Sequence, residues 1–373
     1  MSRRQGAYPV PPRQATGAYD DWRGDRYVPP RMARRSVPRR RPWGRIVLVT
    51  FLVLLIAVLA ASLLLWFRVA AFNDRVSTAS ATSSSLFGPL GGDERVNVLV
   101  LGYGGAEHDG TYLTDSINIV SVDPGGDTTT MIAIPRDLWI EGVPALPQNG
   151  KVNEAFADGY AAGGTLDAGA EASVSVLSAV TGLPIDHWVA LDFNGFRRMV
   201  DAVGGVTIDN PTAFSYTRDE NFFNAGRWEA EFPAGELHLD GEQALTYTRA
   251  RYTSVPSESS DFARSVRQQR VLSALRDRLG DGGISSIGPG LRIMDALGED
   301  MRTDLSAIDL FLLSSHVDPD RRVELTEGVI LQATTNTIGQ YILVVIGSTG
   351  PGDYAPLHAY IQGQLDAPAS NGS

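Results

Sequence analysis

Val96-Asn-Val-Leu-Val-Leu-Gly102, Ile117-Asn-Ile-Val-Ser-Val122 and Met131-Ile-Ala-Ile134 are three short apolar runs set close together, with Asp123-Pro-Gly-Gly-Asp127 between the second and third. Runs of this length bounded by Gly and Pro read as strands. The Pro-Gly-Gly turn predicts that the second and third form an antiparallel hairpin. Asp115, at the start of the second run, and Arg136, just past the third, then lie at the same end of that hairpin. If the first run also pairs antiparallel with the second, its glycine loop, Gly102-Tyr-Gly-Gly105, arrives there too. Three loops converge on one edge of a sheet.

Downstream, helical patterns at 154–163 and 170–180 precede a strand at 188–193. A helix at 196–203, closed by Gly204-Gly205, leads into a strand at 206–208, and a short helix at 241–247 follows. Further helices are expected at 261–279, 291–297 and 306–314, with a β-branched last strand at 341–346. Strands mixed with helices, joined by hairpins as well as crossovers, imply an α/β domain with a mixed sheet between helical layers. There is no internal repeat.

Between Tyr247 and Arg270 five arginines fall within 24 residues of an otherwise acidic region: Y-T-R-A-R and, after a Ser-rich loop, D-F-A-R-S-V-R-Q-Q-R. Guanidinium is permanently charged and its planar fork matches phosphate oxygens, so clustered Arg points to a phosphate or pyrophosphate ligand. In a helix over 261–279, Arg264, Gln268, Val271 and Leu275 follow at intervals of 4, 3 and 4, a single stripe that turns the first two inward. A charge facing inward needs an anion to meet it. That anion is either a bound substrate or a structural carboxylate such as Asp261.

The run 46–67 is 22 residues with Thr50 and Ser62 its only polar members. At ~1.5 Å per residue it spans about 33 Å, enough for a hydrocarbon core. Twelve arginines against three aspartates precede it, a positive-inside signal that keeps the N-terminus cytoplasmic and the rest outside. A cleaved signal peptide is the rival reading, disfavoured by the length of the run and the poor cleavage sites after it. The expected organisation is a disordered basic arm (1–45) able to hold anionic lipid headgroups, a transmembrane helix (46–67), a flexible Ser-rich stalk (68–93), an extracytoplasmic domain (94–365) and a disordered tail (366–373). The net charge of −11 understates the acidity of the exported part, because the arm takes so many arginines. Nucleic acid is therefore excluded as a partner. The absence of cysteine excludes disulfides and thiolate metal sites. Lys151, the sole lysine, stands in N-G-K-V-N between a loop and a helix.

Several of these segments together resemble a known family. L-T-D-S-I (113–117), I-P-R-D (134–137), K-V-N-E-A-F (151–156), D-F-N-G-F (192–196) and V-D-A-V-G-G-V (200–206) follow the glycine loop at Gly102 in order. L-D-G-E-Q-A-L-T-Y-T-R-A-R (239–251) and D-F-A-R-S-V-R-Q-Q (261–269) complete the set. The set, over about residues 94–365, is similar to the LytR-CpsA-Psr family of cell-wall glycopolymer transferases. The resemblance implies a three-layer α/β/α domain with a mixed central sheet and a long apolar pocket for a polyprenyl chain. It implies transfer of an anionic glycopolymer from a polyprenyl pyrophosphate carrier to a peptidoglycan hydroxyl, forming a phosphodiester at the membrane. Carried across by motif, Asp115, Arg136, Arg249, Arg251, Arg264 and Gln268 become catalytic contacts, with Lys151 and Arg267 as helpers in substrate binding and Asp115 beside Mg²⁺.

The chain also departs from the pattern. Many members carry an aspartate where this chain has Gly104 and an arginine where it has Leu113, so part of the expected Mg²⁺ shell is missing. Glu107, His108 and Asp109 lie in the same loop and either replace it or form a solvated turn. Asp109, a short carboxylate next to Gly110, is the preferred second ligand. Asp115 has two open roles, metal ligand and general base. The metal role is preferred, because a carboxylate among Mg²⁺ and arginines is a poor proton acceptor. A pyrophosphohydrolase that transfers to water, and a non-enzymatic glycopolymer-binding wall anchor, are the competing functions. A P-loop enzyme is excluded by the lack of G-x-x-x-x-G-K-[ST], and a DNA-binding regulator by the lack of a helix-turn-helix in the short arm.

Overall fold

The computed structural model describes residues 43–76, 95–105, 110–123, 129–216, 230–251, 253–279, 284–298, 300–316 and 321–367. The chain divides into two units, residues 1–58 and 59–373. The described part of the first is the start of helix α1 (Trp43–Val76). Within α1, Thr50–Val76 is long and apolar enough to cross a membrane, and the side chains at 51–68 are exposed. The basic arm up to residue 42, residues 77–94 of the expected stalk and the tail from 368 lie outside the described residues.

The second unit is built on a six-stranded mixed sheet. Its long members are β1 (Val96–Tyr103), β2 (Thr114–Val122) and β3 (Thr129–Ala133). The expected hairpin is present: β2 pairs antiparallel with both β1 and β3. Two short ladder strands, β4 (Trp139–Ile140) and β5 (Gly150–Lys151), follow, then α2 (Ala155–Gly163) and α3 (Leu166–Thr181). Strand β6 (His187–Asp192) runs parallel to β1 and leads into α4 (Phe193–Ala202). Next come β7 (Val206–Asn210), β8 (Phe214–Tyr216), β9 (Ala230–Phe232) and β10 (Gly235–Leu239), then α5 (Gly241–Arg249), α6 (Asp261–Leu279) and α7 (Ile284–Leu297). The chain ends with β11 (Met301–Thr303), α8 (Ala307–His316), β12 (Arg322–Glu324), β13 (Leu331–Thr335), β14 (Tyr341–Val345) and α9 (Ala355–Asp366). The sheet order is β11-β6-β1-β2-β3-β12.

Alternation along the strands divides the core. Leu99, Leu101, Ile117 and Ile119 face α2, α3 and α9, in a cluster that includes Phe156, Leu177 and Ile361. Val98, Val120 and Val122 face the opposite way, toward α7, α8 and the end of α1. With α4, α5 and α6 on that second face, the result is the three-layer α/β/α arrangement.

One boundary expected from sequence is corrected. A flexible stalk from residue 68 does not match the fold: α1 continues to Val76. Phe72 and Val76 are 1% and 0% exposed, and they pack with Val98, Val122, Leu297 and Leu305. The cause is local. After Phe67, polar Arg68, Asn73, Asp74 and Arg75 interrupt the uniform hydrophobicity, and Val69, Phe72 and Val76 form a stripe at helical spacing. Phe72→Ala is expected to destabilise the detergent-solubilised full-length chain by about 3 kcal/mol. Leu64→Ala, at a site 67% exposed, leaves the denaturation midpoint unchanged. Equal midpoints for the two variants would contradict this placement.

Candidate active site

The β1–β2 ladder keeps register from Val96↔Val122 to Gly102↔Ser116, then slips so that Tyr103 faces Thr114. Asp115 is the extra residue, and the strand bulges there. Strict alternation would send Asp115 to the face away from Ser116. With the bulge, Asp115, Ser116 and Asn118 all line one cavity. Gly102 sits opposite, where a Cβ would come within 3.2 Å of the Ser116 Cβ.

Around Asp115 the cations gather. Arg136, just past β3, is ion-paired through Nη1 to Asp115 Oδ1, and Arg249 Nε lies 3.8 Å from Asp115 Oδ2. Buried Asp137 forms a second hub, with Lys151 Nζ at 2.5 Å, Arg136 Nε at 3.6 Å and Arg251 Nη2 at 3.7 Å. Lys151 reaches it because β4 and β5 pair Trp139 with Lys151. The described ion pairs thus form a chain from Lys151 through Asp137, Arg136 and Asp115 to Arg249, with Arg251 as a branch. Among the described residues, four cations gather on Asp115 and Asp137, a concentration of guanidinium and ammonium groups suited to a polyanion.

Helix α5 aims Arg249. Its start is fixed by a reciprocal cap, in which the Asp240 carboxylate accepts from Gln243 N at 2.8 Å and Gln243 Oε1 accepts from Asp240 N at 3.1 Å. Arg249 is its last residue, and the guanidinium carbon lies 4.2 Å from the ring centre of Phe193, the first residue of α4. From α6, Gln268 lines the same cavity and its Oε1 accepts from Ser116 Oγ at 3.4 Å. Arg264, one turn earlier on that face, is 6% exposed.

The structure corrects the expected role of Arg267 in binding substrate. Its side chain is fully buried, and it donates to Tyr247 O at 3.0 Å, Glu258 O at 2.9 Å, the Glu258 carboxylate at 2.8 Å and Ala250 O. These carbonyls belong to the C-terminal end of α5 and the loop after it, where a helix leaves acceptors unpaired. Burial pulls the guanidinium below its ordinary pKa, opposed by the Glu258 carboxylate. Arg267 is thus the clamp that fixes the segment carrying Arg249 and Arg251. Asp109, the expected second metal ligand, lies outside the described residues, as do Glu107 and His108.

Sequence reading assigned no role to Asp137, although I-P-R-D contained it, nor to Phe193 and Asp192 of D-F-N-G-F. Asp192 lines the polar end of the cavity and caps α4 by accepting from Gly195 N at 2.7 Å. The cavity has a volume of about 360 Å³ and runs back between the sheet and the second helical layer. Asp115, Asp192, Arg249 and Gln268 mark its polar end, and Val100, Val120, Val189, Leu245, Leu272 and Leu297 are among its apolar walls. Asp115 and Val120 are five residues apart on β2, about 17 Å at ~3.4 Å per residue. The combination of charged groups and apolar walls has the chemistry to take an amphiphile with an anionic head and a hydrocarbon tail.

A family profile described as the LytR_cpsA_psr family matches residues 68–345, and the chain belongs to that family. It is 30% identical over 221 residues to the polyisoprenyl-teichoic acid–peptidoglycan teichoic acid transferase TagU of Halalkalibacterium halodurans, an alignment covering 59% of this chain and 64% of the relative. To the TagU of Oceanobacillus iheyensis it is 29% identical over 323 residues, covering 84% and 93%. The crystal structure of B. subtilis TagV superposes with a TM-score of 0.54 at 25% identity, covering 74% of this chain and 99% of that one. The match begins at residue 68, where the packed turns of α1 begin, ahead of the boundary expected at 94.

Arg267→Met, close in volume but uncharged, strands the Glu258 carboxylate and three carbonyls. It is expected to cost about 3 kcal/mol or more in denaturant titrations. Unchanged stability with lost ligand binding would return Arg267 to the substrate.

Proposed function

We propose that this chain transfers an anionic glycopolymer from a polyprenyl pyrophosphate carrier to a peptidoglycan hydroxyl, forming a phosphodiester and releasing polyprenyl monophosphate. The observation that carries this reading is the continuity between a cationic fan and an apolar cavity, which matches the two halves of such a carrier. The relatives' names support it. A single-pass setting in the cell membrane, with the N-terminus cytoplasmic and the domain outside, is supported by the apolar length of α1 and by the arginine-rich sequence before it.

The chemistry divides among named groups. Arg136 and Arg249, one on each oxygen of Asp115, and Arg264 and Gln268 from α6 would hold the pyrophosphate and offset the charge that builds on its oxygens as the bond to the leaving phosphate breaks. Arg251 and Lys151, oriented by Asp137, extend the positive field toward the glycopolymer side. Asp115, on the cavity wall, fits the one-carboxylate-plus-phosphate donor set that Mg²⁺ commonly takes. When bound there, the ion would supply further neutralisation of phosphate charge. Arg136 keeps the Asp115 carboxylate turned toward the cavity.

The direct test is product analysis with a polyprenyl pyrophosphate-linked glycopolymer, with and without peptidoglycan. The expected result is polyprenyl monophosphate together with glycopolymer phosphodiester-linked to peptidoglycan. Release at the same rate without acceptor, with free glycopolymer phosphate, would instead establish a hydrolase. Binding with no bond cleavage would leave a wall anchor.

Arg249→Lys and Arg264→Lys keep the charge and lose the planar fork. Each is expected to lower kcat/KM about 30-fold, or ~2 kcal/mol, without changing the melting temperature. Wild-type turnover in either would remove that residue from the phosphate contacts. Asp115→Asn and Asp109→Asn are expected to raise the Mg²⁺ concentration for half-maximal activity, whereas Glu107→Gln leaves it unchanged. An unaltered titration in Asp109→Asn leaves Asp115, water and substrate oxygens as the whole shell.

A further inference from the structure

The end of α1 from Arg68 onward is fastened to the domain at three points. Arg68 is ion-paired with Asp295 on α7, Asn73 Oδ1 accepts from Ala307 N at the start of α8 at 2.9 Å, and the Arg75 carbonyl accepts from Arg302 on β11 at 3.0 Å. A helix that serves as a simple tether needs none of these. Phe72 is buried by this docking, and it is also a wall of the cavity, beside Val120, Val189, Leu297 and Met301. Five residues upstream Phe67 is 57% exposed, and Leu63 and Leu64 are 55% and 67% exposed. At ~1.5 Å per residue, only about 7.5 Å of helix separates an apolar surface fit for lipid from the cavity wall. The polar end of the cavity, at Asp115 and Arg249, lies at the other end of the strands.

We propose that Val69–Val76 of α1 is part of the lipid site, forming the wall along which the hydrocarbon tail of a polyprenyl carrier passes between the cavity and the bilayer. The proposal rests on reading the cavity as a polyprenyl site and adds the route. A membrane lipid whose head sits among the arginines must keep its tail continuous with the bilayer, because each methylene drawn through water is unfavourable. Docking the anchor's own last turns against the cavity gives the tail a dry path. It also fixes the distance between the head-binding end and the bilayer, since the same residues belong to both the anchor and the core.

The test uses the full-length chain in phospholipid vesicles with two polyprenyl monophosphates, one carrying a diazirine near the phosphate and the other at a tail position about 17 Å from it, the length of β2 from Asp115 to Val120. After irradiation the labelled peptides are identified by mass spectrometry, with and without unlabelled polyprenyl monophosphate. The head-proximal probe is expected on cavity residues near Arg249, such as Leu245 and Phe196, and the distal probe within Val69–Val76. Both labels should fall about tenfold under a tenfold excess of competitor. Competed distal labelling on α8 around Phe311, with none on Val69–Val76, would overturn the route while leaving the cavity a lipid site. Labelling by neither probe that responds to competitor would overturn the route and the polyprenyl reading together.

Discussion

Cations brought together at the mouth of an apolar cavity repel one another and resist desolvation, so the arrangement exists only because carboxylates are interleaved among them. Asp115 separates Arg136 from Arg249, and Asp137 separates Arg136, Lys151 and Arg251. The rest of the second unit serves these two acids. The bulge in β2 turns Asp115 onto the cavity face, the β4–β5 ladder delivers Lys151 to Asp137, and Arg267 closes the end of α5 so that Arg249 and Arg251 leave it in fixed directions.

On the proposed function, the clustered cations and the cavity would divide the work of binding and chemistry. Hydrocarbon burial is non-directional and grows with chain length, at about 0.8 kcal/mol per CH₂, so a long tail can supply affinity by itself. Contacts at the head are then available for the transition state, where charge shifts onto phosphoryl oxygens and fixed guanidinium groups gain most. The cation stacked on Phe193 and the clamp at Arg267 limit how far the arginines can move, which keeps the field in place before the reaction starts.

Much of this was legible in the sequence. The three apolar runs and the Pro-Gly-Gly turn predicted the hairpin, and the hairpin placed Asp115 and Arg136 at one end, where they are paired. The 4-3-4 spacing in α6 placed Arg264 and Gln268 inward, and the helix has the expected bounds, Asp261–Leu279. What escaped has physical causes. A bulge is a register event between two strands and leaves no mark in either. Arg267 differs from Arg264 only by phase on one helix, and its true partners, main-chain carbonyls, have no side-chain signature. Strands β11 and β12 are three residues each, too short for alternation to show. The end of α1 was hidden because a membrane-spanning run and a packed amphipathic stripe join without a break at Phe67 and Arg68.

The central claim is that one continuous site holds a phosphate head against the arginines and a polyprenyl tail along the sheet. It is tested most directly by an experimental density map of the full-length chain extracted from its native membrane. The account predicts an elongated tube of lipid density along β2, ending in phosphate within hydrogen-bonding distance of Arg136 and Arg249. A map in which lipid fills the cavity with its head away from those arginines, or in which phosphate binds them with the cavity filled by water, would contradict it.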